Sequence, residues 1–87
     1  MRDEQAPPEV TEAILGAVDT QLQENSPPEA RATLDRLIAQ GHTEEEARRL
    51  IAAALVCEMS VVLQSGKPHD VQRYVGWLNQ LPQLPEI

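Results

Sequence analysis

Apolar residues recur at helical spacing along most of the chain, and four segments carry the pattern. In the first, expected over 8–24, Val10, Ile14, Ala17, Val18 and Leu22 share a face and Leu15 widens it. In the second, expected over 27–40, the inward positions are Ala30, Leu34, Leu37 and Ile38. The third, expected over 43–65, is apolar on nearly every side from Leu50 to Leu63, broken only by Glu58 and Ser60. A helix of that kind must be enclosed, either by the other three helices or by a partner. The fourth, expected over 70–80, turns Val71, Tyr74, Val75 and Leu78 inward.

The boundaries follow from punctuation. Pro7-Pro8-Glu9-Val10 and Pro27-Pro28-Glu29-Ala30 both read as helix starts, because proline is tolerated in a first helical turn and hardly anywhere else in a helix. Asn25 and Ser26 close the first helix. Ser26 with Glu29, and Thr43 with Glu46, have capping-box spacing. Gly41 and Gly66 supply stops. Asp70 is the expected cap of the fourth helix, with His69 the alternative, and Pro82 ends it. The expected fold is all-α: a four-helix bundle-like domain with a long, nearly all-apolar central third helix. Residues 1–87 read as a single domain, with 1–7 and 83–87 as frayed tails. In the C-terminal tail, Leu84, Pro85 and Ile87 either fold back or fray.

Composition narrows the core. There is no Phe, one Trp and one Tyr, so the interior must be aliphatic and thin, and pairing with a second copy would support it. The net charge is −7, with seven acids against one base in residues 1–29 and seven against six in the rest. A field of that sign repels phosphate, so nucleic acid and anionic membranes are poor partners. The N-terminal stretch lacks an apolar signal core, and the Leu50–Leu63 run is shorter than a membrane span needs. The single cysteine, Cys57, lies in an apolar run and reads as a packed thiol, which suits a reducing cytoplasm.

Candidate chemistry is sparse. Glu58 has Ala54 and Val62 one turn away on either side, so its carboxylate must be paired, hydrogen-bonded or protonated. Paired with Arg73, Tyr74 or a helix-end donor it is structural; with a raised pKa it is a metal ligand or general base. His42 and His69 sit in turns and share no helix with a carboxylate at ligand spacing, so no metal and no cofactor are expected. Glu44 with Arg48, and Glu45 with Arg49, are helical ion pairs of favourable polarity. Tyr74 and Trp77 are candidate interface residues, Trp77 lying near the edge of its helix.

The order of short motifs adds a comparison: Gln21-Leu22, Pro27-Pro28-Glu29, Leu34-x-Arg36-Leu37 before Gly41, Cys57-Glu58-Met59, and a Tyr74 helix closing at Leu81-Pro82. From Thr11 to Pro82 this order resembles a family of small uncharacterised bacterial helical proteins, a domain of unknown function. The resemblance transfers no activity. It implies that relatives carry histidines where this chain has Thr11, Leu15, Glu46 and Leu50, so any metal site they formed is dismantled here. It also implies that Leu15 lies close to Leu50, with helix 1 against the N-terminal half of helix 3.

The expected function is a small non-catalytic helical interaction or structural module, acting on a protein partner or on itself as a homodimer. The alternative is a metal- or carboxylate-dependent enzyme remnant using Glu58 and Glu46.

Overall fold

The computed structural model describes residues 8–83, and side-chain environments from Val10 onward. Four helices follow one another: α1 Pro8–Glu24, α2 Pro28–Ala39, α3 Glu44–Ser65 and α4 Val71–Gln80. The chain is all-α, with no strand among the described residues. The expected behaviour of 1–7 and of the Leu84–Ile87 tail lies outside them.

Each helix end has a local chemical cause. Asn25 takes φ 53°, which lets the Ser26 N–H reach back to the Gln21 carbonyl at 3.0 Å and close α1. Ser26 therefore does not cap α2 with Glu29, as the spacing suggested. Its backbone belongs to the end of α1, and Pro27 stands at the cap of α2 without a side-chain bond. Two prolines in succession bring no N–H there to satisfy. At the other end of α2, Gly41 takes φ 108°, and the Gly41 and His42 N–H groups bond Ile38 and Leu37 carbonyls. Thr43 and Glu46 form the reciprocal capping box of α3, both bonds 3.0 Å, and Gly66 ends it in the left-handed conformation. Asp70 caps α4 by accepting from the Gln72 and Arg73 N–H groups.

α2 and α3 each lie against all three other helices, whereas α1 and α4 have no backbone contact among the described residues. The interior is aliphatic: Val18, Leu34, Leu37, Ile51, Leu78 and Leu81, with Ala30, Ala47 and Ala54 filling between them. Tyr74 is the one aromatic ring fully enclosed, and its hydroxyl donates to Gln21 Oε1 at 2.7 Å. Burial pushes this phenol up to about 12, with the Gln21 bond opposing. Cys57 is buried as expected, and desolvation raises its thiol.

Several inward positions differ from the periodic reading. Thr33 is buried in α2, and Ile38 is 42 % exposed. Positions 30, 33, 34 and 37 make the narrow line, and 38 falls at its edge. Val10, Ala17 and Val71 are exposed as well. Arg48 does not settle on Glu44. It turns to α1 and grips Asp19 in two bonds of 2.9 and 2.8 Å, because a planar guanidinium matches a carboxylate edge to edge. Arg49 does pair with Glu45, at 3.0 Å. Through the Asp19 pair, α1 lies on the N-terminal half of α3. There Thr11, Ile14 and Leu15 share a shallow concavity of about 180 Å³ with Arg49, Ala52, Ala53 and Val56. Leu50 does not line it. Leu15 and Leu50 both pack against the core. Among the described residues no helix is long and apolar enough to cross a membrane.

The contrast between adjacent positions in α2 is measurable. Leu37→Ala should destabilise by about 2–4 kcal/mol in a urea titration, through lost burial and a cavity. Ile38→Ala should cost less than about 1 kcal/mol. Equal losses at both would contradict the burial assigned here.

Candidate functional site

Glu58 is the one acidic side chain buried among the described residues, 1 % exposed, and it lies on the face of α3 that meets α4. Everything that holds it comes from α4 or the turn before it. Arg73 donates twice, Nε to Oε1 at 2.7 Å and Nη2 to Oε2 at 2.8 Å. The Asp70 backbone N–H donates to Oε2 at 2.9 Å, and His69 Nδ1 lies 3.0 Å from the same oxygen. An ionised carboxylate only accepts, so that ring nitrogen carries the hydrogen. Trp77 Nε1 approaches Oε1 at 3.4 Å. The Arg73 guanidinium, helped by the Asp70 N–H, His69 and Trp77, outweighs desolvation and holds the carboxyl at about 2. Arg73 is raised in turn by the same pairing.

The sequence-level alternatives for Glu58 divide cleanly. Arg73 and a helix-end donor are its partners, and Tyr74 is not; its hydroxyl goes to α1 instead. The carboxyl moves down and not up, which is the reverse of what a buried general base needs. Both oxygens carry donors, and among the described residues no buried side-chain N or O lacks a hydrogen bond. No group of three His, Cys, Asp or Glu among those residues is placed to hold a metal ion. Glu46, the second carboxylate considered, is spent on the capping box, with His42 at 3.6 Å beside it. Of the four positions where relatives are expected to carry histidines, Thr11 and Leu15 share a concavity that neither Glu46 nor Leu50 lines.

No family model, curated protein or solved structure matches the chain.

The interface candidates separate as well. Tyr74 is 1 % exposed, so it belongs to the core of its own chain and presents no surface to a partner. Trp77 is half-buried, packed on the core with its N–H on Glu58. The surface that periodicity alone did not foresee lies on α3. Val56 and Met59 are exposed, and Leu63 is 82 % exposed. Beside them an apolar concavity of about 310 Å³ is lined by Leu55, Glu58, Met59, Val62, Leu63 and His69. The signal for this surface was the apolarity of α3 on every side. Which side stays uncovered depends on where the other helices settle.

The pairing of Glu58 sets an acid dependence. Its carboxyl is lowered in the folded state, so its contribution is complete above the unfolded value, near 4.3, and disappears as pH falls towards about 2. Carboxyl ¹³C NMR should place the Glu58 midpoint near 2, below the other glutamates. Glu58→Gln should cost about 3 kcal/mol at neutral pH, since Arg73 stays partly hydrated, and should flatten the acid limb between pH ~4 and ~2. A Glu58 midpoint at or above that of exposed glutamates would overturn the assignment.

Proposed function

We propose that the protein is a small non-catalytic helical interaction module: a four-helix bundle with α3 as its central element, offering the uncovered face of α3 to a partner. The observation that carries this reading is the exposed row Val56, Met59 and Leu63. Single exposed apolar side chains are ordinary. A contiguous row beside an apolar concavity is the form that interaction surfaces take. The full commitment of Glu58 to structural hydrogen bonds, and the use of Glu46 Oε1 in the capping box of α3, support a non-catalytic role and weigh against the carboxylate-enzyme alternative.

The partner is a protein surface. A net charge of −7 disfavours nucleic acid and anionic membrane, and a single buried cysteine fits a cytoplasmic setting. Kinship with the small bacterial helical family belongs to the same proposal, with Thr11, Leu15, Glu46 and Leu50 at the positions of a lost site. Trp77 then serves as a lid on the Glu58 cluster, and the contact surface is α3.

A photoreactive amino acid at position 63, introduced in cells of the natural host, should give discrete adducts that the same group at Gln72 on α4 does not give. Leu63→Asp should change stability by less than about 0.5 kcal/mol, because the side chain packs against little in its own fold. Absence of position-63 adducts, or a loss of stability of core size, would contradict the reading.

A further inference from the structure

The uncovered face of α3 has the form of a seam. Val56, Met59 and Leu63 are spaced by three and then four residues, the alternation with which one helix packs along another. α1 borders only part of it. Asp19 pairs with Arg48, while Thr11 and Leu15 lie with Ala52 and Val56, so α1 runs antiparallel to α3 and its start stands near residues 55–59. Beyond that point Met59 and Leu63 stay exposed among the described residues. The seam also carries no exposed acid: between Ala47 and Ser65 the only carboxylate is Glu58, buried and paired. In a chain of charge −7, that makes it a surface on which two copies can meet without opposing like charges.

Resting on the interaction reading above, we propose that the occupant is a second copy of this chain. Its α3 lies antiparallel to the first across a two-fold axis between Met59 and Leu63, and Lys67 of each copy meets Glu12 of the other. A two-fold contact must be self-complementary, and this register makes it so. Setting Met59 opposite Leu63 of the second copy brings Ser65, the last residue of that copy's α3, level with residue 57, and Lys67 follows two residues past that helix end, within a long side chain's reach of the level of residue 55. The antiparallel register of α1 on α3, anchored by Asp19 at Arg48, brings Glu12 to that same level. Glu12 and Lys67 are both exposed, and neither has an ion pair within the described residues. The apolar row supplies the contact, and the two symmetry-related charge pairs set its register.

Sedimentation of the purified full chain tests this. Between about 1 µM and about 500 µM the wild type should pass from monomer to dimer. Leu63→Asp should stay monomeric throughout with unchanged helical circular dichroism. At low salt Lys67→Glu should weaken association roughly tenfold, and adding Glu12→Lys to that chain should restore it. A wild type monomeric over the whole range overturns the second copy as occupant; position-63 adducts to a different protein would then leave the interaction reading standing by itself. A dimer unaffected by Leu63→Asp, or a Lys67→Glu loss that Glu12→Lys does not restore, also overturns the proposal.

Discussion

Burying Glu58 takes a carboxylate out of water inside an otherwise aliphatic interior, and the cost of that step is offset only by donors aimed at both of its oxygens. All of those donors belong to α4 and the turn before it. The requirement therefore runs both ways. Glu58 stays buried as an anion only while α4 supplies those donors, and α4 docks against α3 through the charge of Glu58. A ten-residue helix is too short to hold itself in water, so these tertiary bonds decide whether it exists. The opposite end is held in the same manner. Arg36 of α2 donates to the Leu81 carbonyl at 2.8 Å and the Leu78 carbonyl at 3.0 Å, where the last turn has acceptors to spare. An anion thus stands at the start of α4 and a cation at its end, each matching the helix dipole.

That arrangement divides α3 into a side used by the fold and a side left exposed. The side that carries Ala47, Ile51, Ala54 and Glu58 is consumed by the fold. Small residues there let neighbouring helices approach, and the one polar group fixes which segment packs over it. The opposite side carries Val56, Met59 and Leu63, which stay exposed, with α1 bordering it at Val56. The polar cluster is saturated with internal bonds, and the exposed row on the other side is formed by apolar side chains.

Much of the fold was legible because the signals were local. Proline starts, glycine stops and the Thr43–Glu46 box are properties of a few adjacent residues, and all four helices end within a residue or two of where these place them. The misreadings share one cause, which is competition from a neighbour that local spacing does not contain. Ser26 had the right spacing to cap α2, but its N–H is engaged at Gln21. Arg48 had Glu44 one turn away and took Asp19 on another helix. Ile38 was placed inward by its period, and Thr33 took the inner line. At the site, the burial of Glu58 and its Arg73 partner were readable, since a carboxylate between Ala54 and Val62 needs a cation. The parts played by His69, the Asp70 N–H and Trp77 were not, because they depend on the angle at which the turn 66–70 returns α4 to α3.

The claim on which the account turns is that Glu58 acts as the anchor of α4. Native-state amide hydrogen exchange on the wild type and on Glu58→Gln tests it residue by residue. In the variant the amides of Val71–Gln80 should lose protection selectively, while those in the middle of α2 and in the Ala47–Ala54 stretch of α3 keep most of theirs. Unchanged protection in α4, or an equal fall in all four helices, would contradict it.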